Sequence, residues 1–118
     1  AVVLEQLGKY PQIPQLFTYF QENDEFYLAQ EYIDGISLAE ELKLHRLLRP
    51  ISEQTVVMIL HELLQILDFV HGQGVIHRDV KPANVIRRRS DRKLVLIHFG
   101  AVKQVTNLEE QADGTVLT

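Results

Sequence analysis

Eight consecutive residues decide how this chain is interpreted: His77-Arg78-Asp79-Val80-Lys81-Pro82-Ala83-Asn84. They follow the short apolar pair Val75-Ile76 and precede a second apolar pair, Val85-Ile86. Each of these residue types is common in polar surface loops. An acid, cations and an amide at this spacing, between two short apolar strands, favour a chemical site over an ordinary surface loop.

Three side chains of the loop carry the chemistry that we expect. Asp79 could hold a hydroxyl group, and Lys81 could balance the charge of a phosphate. Asn84 offers an amide oxygen, which hard cations accept as a ligand in proteins. Pro82 has a fixed φ and stiffens the backbone between these side chains.

A long helix is predicted before the loop. Ser52 is a favourable N-cap, and Ile51 and Val56 have the spacing of a hydrophobic staple. Apolar residues on more than one stripe follow, at positions 56, 57, 59, 60, 63, 64, 66, 67, 69 and 70. We expect a helix this apolar to be buried on most sides. Gly72 and Gly74 are expected to end it.

The residues nearer the N-terminus predict a β-hairpin. Leu16–Phe20 and Phe26–Gln30 are rich in aromatic and apolar residues, which is typical of strands. Asn23 and Asp24 tolerate a left-handed backbone, so a tight turn should join the strands. Asp34-Gly35 is expected to break the second strand.

Three further elements complete the predicted framework. Ser37 and Glu40 form a capping box that starts a short helix, which should run to about His45. The apolar run Leu94–Ile97 predicts a buried strand. The charge-rich stretch Arg87–Lys93 precedes it, and we expect a solvated turn there because basic runs usually have that role.

The composition argues against several classes of protein. The chain has 118 residues, enough for one small domain, with 46% apolar and 24% charged residues. A net charge of −4 argues against a nucleic-acid partner. The chain has no cysteine. We see no apolar run approaching the roughly 20 residues that span a bilayer and no signal peptide. We therefore expect a cytoplasmic protein, with no membrane segment in this chain.

Both ends of the sequence are expected to fall inside structural elements. Residues 1–7 have the pattern of the last turns of an amphipathic helix, closed by Gly8. Residues 112–118 stop without a terminating element. These patterns predict a segment of a larger domain.

The loop resembles the catalytic loop of the protein kinase family. The signature H-R-D-x-x-x-x-N matches His77, Arg78, Asp79 and Asn84, and Lys81 stands where Ser/Thr kinases carry a lysine. The residues of the loop and of Glu31–Gly35 are most similar to those of bacterial eukaryotic-like Ser/Thr kinases. The resemblance covers essentially the whole chain.

The resemblance implies a partial protein-kinase-like fold of the α+β class. Residues 1–30 would be the end of the small lobe, and residues 31–36 would be the hinge. Residues 37–118 would be the start of the large lobe through a partial activation loop. The family implies Mg-ATP as the cofactor and a protein Ser/Thr hydroxyl as the acceptor.

The same resemblance implies roles for individual loop residues. Asp79 would orient the substrate hydroxyl and accept its proton, and Lys81 would steady the transferring phosphoryl group. Asn84 would bind magnesium. His77 and Phe99 would be packing residues of the regulatory core.

The nucleotide would contact four other residues. Main-chain groups of Glu31 and Ile33 would pair with adenine. Ile86 would close on the adenine ring, and Leu38 would pack close by.

One departure from the family pattern affects the metal. The sequence has His98-Phe99-Gly100 where the family has Asp-Phe-Gly. The family's Asp supplies a carboxylate to magnesium, whereas imidazole is a poor magnesium ligand and a protonated imidazole repels a cation. His98 therefore predicts impaired metal binding.

The family's glycine-rich phosphate loop, strand lysine, helix glutamate and Ala-Pro-Glu segment do not occur in these residues. We therefore expect the 118 residues by themselves to be inactive. The leading hypothesis is a Ser/Thr protein kinase segment whose parent uses Mg-ATP. The alternative is a pseudokinase or regulatory protein-binding module. An unrelated α/β domain with this loop by chance would need too many coincidences.

Overall fold

The computed structural model describes Leu7, residues 9–99 and the strand Lys103–Gln104. The predictions for residues 1–6 and 112–118, including the helix end at Gly8, lie outside the described residues. The helices are α1 (Leu38–Leu48) and α2 (Glu53–Gly72). The strands are β1 (Leu16–Glu22), β2 (Glu25–Gln30), β3 (Gly35–Ser37), β4 (Val75–Ile76), β5 (Val85–Arg88), β6 (Leu94–Leu96) and β7 (Lys103–Gln104). A 3₁₀ turn, Pro82–Asn84, precedes β5.

The predicted hairpin is present as β1 and β2. The strands pair antiparallel, with Glu22 opposite Glu25 at the turn. Asn23 and Asp24 have φ values of 53° and 63°. These residues adopt the left-handed conformation at less cost than most, so the turn forms where the sequence predicts it.

A three-stranded sheet, in the order β3-β5-β6, contains a strand that the sequence analysis missed. We predicted that Asp34-Gly35 would only break β2, but Gly35 also begins β3 and pairs with Arg88. A Cβ at Gly35 would lie 2.0 Å from the Arg87 carbonyl oxygen. Glycine therefore lets the two backbones approach. Three residues are too few to show a strand periodicity, which explains the omission.

The predicted helix caps are both formed. The Ser37 hydroxyl accepts a hydrogen bond from the Glu40 N–H at 3.1 Å and starts α1, which continues to Leu48 rather than ending near His45. The Ser52 hydroxyl accepts from the Thr55 N–H at 3.1 Å and starts α2. The last residue of α2 is Gly72, and Gly74 beyond it has φ 76°.

The burial of α2 differs from the prediction. Ile66 and Val70 are its only fully buried members, and they pack against apolar residues of the strands, among them Val75, Val85, Leu94 and Leu96. Val57, Met58, Leu60 and Leu64 are instead each more than half exposed. The expectation of burial on most sides was wrong for the described residues, because they cover α2 mainly from the side of the strands.

The length and composition of α2 bear on the expectation that this chain has no membrane segment. This 20-residue helix is long and apolar enough to cross a bilayer, judged by its length and composition alone. This is weak evidence, because the core helix of a soluble protein passes the same test. Glu62, in the middle of α2, accepts hydrogen bonds from Gln12 and from the backbone of β6. These contacts join α2 to Gln12 and to β6, and no membrane segment is shown.

The exposed apolar face of α2 predicts poor behaviour of the 118 residues produced alone. We expect aggregation or loose packing, because an uncovered patch of this kind promotes association. Size-exclusion chromatography and thermal unfolding test this expectation. A monodisperse monomer with one sharp, cooperative transition would contradict it.

The basic stretch Arg87–Lys93 is only partly a solvated turn. Arg87 and Arg88 belong to β5, and Arg87 forms an ion pair with Glu41 of α1 at 2.8 Å. Both side chains of that pair are only 15% exposed. Arg88 pairs with Asp91 and lowers the pKa of that carboxyl to about 2. Arg87 therefore links β5 to α1, and Arg88 is paired within its own hairpin.

Candidate active site

The loop His77–Asn84 lies between two short strands of different sheets. It leaves β4, which pairs with β7, and ends in the 3₁₀ turn that leads into β5. Its second half is closed by a hydrogen bond from the Asn84 N–H to the Lys81 carbonyl at 2.9 Å. The Ile97 N–H donates to the Asn84 carbonyl at 2.9 Å, which joins the loop to the end of β6.

The structure brings together the three loop side chains that the sequence singled out. The Asn84 amide donates to the Asp79 carboxylate at 3.0 Å and to the Asp79 carbonyl at 2.8 Å. The Lys81 ammonium lies 3.6 Å from the same carboxylate. Asn84 is buried, whereas the Asp79 side chain is 43% exposed. The Asp79 carboxylate is thus held by hydrogen bonds while part of its side chain stays open to solvent.

His77 supports this arrangement through hydrogen bonds to the backbone. Its side chain is buried, and its Nδ1 accepts a hydrogen bond from the Asp79 N–H at 3.1 Å. Its Nε2 therefore carries the proton and donates to the Ile97 carbonyl at 2.8 Å. The ring also meets Phe99 edge to face, with centroids 4.7 Å apart. These contacts make His77 a positioning residue that fixes the backbone at Asp79.

His98 follows Ile97 directly and is therefore close to the loop along the chain. Its side chain is exposed and its φ is 60°. Ile97 contacts Asn84 through its N–H and His77 through its carbonyl oxygen. The His98 imidazole is therefore carried by the residue directly after Ile97, whose backbone is hydrogen-bonded to the loop.

The family model described as the protein kinase domain matches residues 1–118, the whole chain. The chain belongs to the protein kinase family. It is 50% identical over 87% of its length to Serine/threonine-protein kinase B of Synechocystis sp., of which the match covers 17%. It is 45% identical over its full length to Serine/threonine-protein kinase D of the same organism, covering 22% of that protein.

A third relative is Serine/threonine-protein kinase PknA of Nostoc sp., at 49% identity over 88% of this chain and 18% of that protein. The chain thus spans about a fifth of the length of these curated relatives. The mixture of strands and helices agrees with a partial kinase fold.

Protein kinases use ATP and magnesium, and this kinase segment fits the metal poorly. Magnesium prefers several oxygen ligands in a near-octahedral arrangement. At the centre of the site the loop offers the amide oxygen of Asn84, and His98 offers an imidazole in place of a carboxylate. Within residues 9–99, no group of three His, Asp or Glu side chains could hold a metal ion. We therefore assign no step of the chemistry to a metal here.

Two of the four residues predicted to meet adenine border different cavities. Glu31 borders a cavity of about 450 Å³, and Leu38 borders a different one of about 280 Å³. Ile33 and Ile86 border neither of these cavities. The Glu31 N–H donates to the Gln15 carbonyl at 2.8 Å, so a ligand could use only the carbonyl of Glu31. Their contact with a nucleotide stays a prediction.

Sequence reasoning missed a cross-link that joins α2 to Gln12 and to β6. The Glu62 carboxylate accepts from the Gln12 amide and from the Leu94 N–H, both at 2.7 Å. The Gln12 amide also donates to the Leu94 carbonyl at 2.9 Å. One signal was available, because Glu62 is an acid in the middle of a largely apolar helix. Nothing in the sequence identified its partners.

The burial of His77 predicts a dependence of stability on pH. Burial lowers the pKa of His77 below its ordinary value, so the unfolded chain binds more protons under mildly acidic conditions. The contribution of the neutral ring is fully present above about pH 6.5. It is lost as the pH falls through that value towards the lower folded pKa. Urea unfolding of the kinase domain between neutral and mildly acidic pH measures this loss.

The matched control for this prediction is His77→Gln, which cannot titrate in this range. The variant should be less stable at neutral pH and should show a weaker decline on acidification. An equal decline in both proteins would assign the pH dependence to other groups.

Proposed function

We propose that, within the complete protein, this segment supplies the hinge and the catalytic loop of a Ser/Thr protein kinase domain. The reaction is transfer of the ATP γ-phosphate to a protein Ser or Thr hydroxyl. One observation carries the proposal: the Asp79 carboxylate is held by Asn84 and Lys81 and is still open to solvent. An acceptor in that position can orient a hydroxyl and receive its proton.

The other loop residues have complementary roles in this proposal. Lys81 is 57% exposed, so its ammonium can reach an incoming phosphoryl group while it remains near Asp79. Asn84 uses its amide N–H groups to fix Asp79, which leaves its amide oxygen for a cation. The rigid loop lowers the cost of positioning, which is a large part of phosphoryl-transfer catalysis.

The proposed nucleotide contacts follow the family pattern. The Glu31 carbonyl and the Ile33 main chain would bind adenine, with Ile86 against the ring and Leu38 behind it. Residues 1–30 would belong to the small lobe, 31–36 to the hinge and 37–118 to the large lobe. A cytoplasmic location, with a protein substrate, is part of the same proposal.

A second candidate function is favoured by His98. A pseudokinase or regulatory module would bind nucleotide or a partner protein without transferring phosphate. An imidazole at the position of the family's metal-binding carboxylate is the observation that supports it, because imidazole is a poor magnesium ligand.

The experiment uses the full-length protein that contains these residues. It is incubated with radiolabelled ATP, magnesium and a generic protein substrate, and ATP binding is measured in parallel. We expect slow incorporation on Ser or Thr and a fall of about 10²-fold or more in Asp79→Asn, since the positioned base is lost. The control variant is Asp91→Asn, which removes a surface carboxylate paired with Arg88 and should leave the rate unchanged.

Two results would contradict the kinase proposal. The first is ATP binding with no transfer by the wild-type protein, which supports the pseudokinase. The second is transfer that Asp79→Asn leaves intact, which would place the reaction elsewhere.

A further inference from the structure

Arg87 of β5 and Glu41 of α1 form a two-point ion pair. The Nε and Nη2 atoms of the Arg87 guanidinium donate to the two oxygens of the Glu41 carboxylate, at 2.8 and 3.3 Å. The remaining nitrogen, Nη1, donates to the Arg92 carbonyl at 3.0 Å. Every nitrogen of the guanidinium is therefore engaged. A planar, two-point contact of this kind fixes the direction of approach as well as the distance.

The exposure of this pair separates it from the surface pairs of the same region. Both of its side chains are 15% exposed, whereas those of the Arg89–Asp34 pair are 69% and 63% exposed. Exposed pairs contribute little to stability, because water and salt screen them. Removing one partner of a largely buried pair is costly, because the other charge is left without compensation. We therefore expect the spacing of β5 and α1 to depend on this contact.

Arg87 holds β5 from the face opposite Ile86. Neighbouring side chains of a strand point to opposite faces of the sheet. Val85, on the same face as Arg87, is buried in a core cluster that includes Leu38 of α1. Ile86, on the other face, is only half-buried. On α1, Leu38 and Glu41 are three residues apart and so lie on one side of the helix.

The start of β5 is held by a different set of contacts. The Asn84 carbonyl, just before the strand, accepts from the Ile97 N–H at 2.9 Å, and the Asn84 amide donates to Asp79. The neighbouring strands β3 and β6 have only three residues each, so few ladder bonds oppose a small shift of β5. Loss of the ion pair at Arg87 should therefore displace Ile86 while the catalytic loop keeps its own bonds.

We propose that Glu41 and Arg87 are a positioning pair that sets the affinity of the kinase domain for the adenine base. The inference rests on the proposed function, in which Ile86 closes on the adenine ring with Leu38 behind it. The pair lies on the opposite face of the sheet and acts by fixing β5 against α1. Breaking it costs the base part of its packing contact and leaves the phosphate contacts of the loop unchanged.

The test measures binding of adenosine and of ADP to the full-length protein that contains these residues, by isothermal titration calorimetry. Glu41→Ala and Arg87→Met each remove one partner, and methionine keeps an unbranched apolar chain in place of the arginine stem. The dissociation constant for adenosine should rise about tenfold in each variant, as for residues coupled through a shared backbone shift. ADP should weaken by the same factor, because adenosine has the base and ribose without phosphate.

The double variant Glu41→Ala/Arg87→Met should lose no more affinity than either single variant, because the two side chains act as a unit. Two controls accompany it. Asp91→Asn breaks an ion pair of the same strand that stays within its own hairpin, and it should bind adenosine as the wild type does. Phe69→Leu weakens the stacking on Tyr10, outside α1 and β5, and should lower stability without changing the adenosine affinity.

Tenfold weaker adenosine binding in the pair variants, with both controls unchanged, supports the inference even in a protein that transfers no phosphate. Unchanged adenosine binding in Glu41→Ala overturns it and leaves the kinase proposal to the test with Asp79→Asn. An equal loss in Phe69→Leu also overturns it, because the loss would then follow general destabilisation. Losses that add in the double variant overturn it as well, since the side chains would act independently. A wild-type protein that binds neither adenosine nor ADP overturns this inference together with the proposed nucleotide contacts.

Discussion

Replacing His98 by Asp should raise phosphoryl-transfer turnover by about 10²–10³-fold, the effect of one charge-stabilising group. The substitution is made in a complete bacterial kinase domain into which residues 1–118 have been grafted. Asp restores a carboxylate to the position that holds magnesium in the family. The backbone should accept it, because Asp tolerates the φ of 60° found at His98.

Nucleotide affinity should change much less than turnover. The proposed adenine contacts through Glu31 and Ile33 do not involve the metal. The control is His98→Asn, which removes the imidazole without adding a negative charge and should recover little activity. Equal turnover of the unsubstituted graft and of its His98→Asp variant would show that the imidazole is tolerated.

Glu62→Ala should lower the free energy of unfolding of the same grafted domain by about 3 kcal/mol. The substitution removes the acceptor of two hydrogen bonds of 2.7 Å, from the Gln12 amide and the Leu94 N–H. Leu94 is fully buried, so water cannot readily replace the lost acceptor. Urea unfolding at neutral pH measures the change.

Two variants define the cause of that loss. Glu62→Gln keeps an acceptor oxygen and should lose about 1 kcal/mol, since only the charge is removed. Asp68→Ala removes an exposed carboxylate from the same helix and should change stability by less than about 0.5 kcal/mol. Similar losses in Glu62→Ala and Asp68→Ala would show that the cross-link contributes nothing.

Local signals in the sequence were sufficient for most of the framework. Ser37 and Ser52 cap the helices because their hydroxyls reach backbone N–H groups within the same turn. Asn23 and Asp24 form the turn for a similar local reason. Such features depend on a few neighbouring residues, so one sequence is enough to predict them.

Features that depend on contacts distant in sequence were not predictable. The Glu62 cross-link joins residues 50 and 32 positions apart. The Arg87–Glu41 pair turns an arginine of an apparent surface turn into a largely buried contact. The exposure of α2 also depends on which elements pack beside it, which helical periodicity cannot reveal.

The sequence predicted that three side chains of the candidate site belong together, but it predicted their geometry only in part. The loop signature identified Asp79, Lys81 and Asn84, and the structure places them within hydrogen-bonding or ion-pairing reach. The hydrogen bond from the Asp79 N–H to His77 was not predicted. It depends on the ring tautomer, which residue spacing does not determine.

The close approach at Gly35 has a consequence for how this segment can diverge among descendants of one gene. A single added methyl group would collide with a main-chain oxygen, which cannot move aside as a flexible side chain can. Neighbouring Tyr32 is 83% exposed and Asp34 is exposed, so their side chains are far less constrained by packing. Substitutions should therefore accumulate at positions 32 and 34 long before any survives at 35. Glycine would then be retained at position 35 because the path of the backbone requires it. Positions 32 and 34 would instead change as their surroundings change.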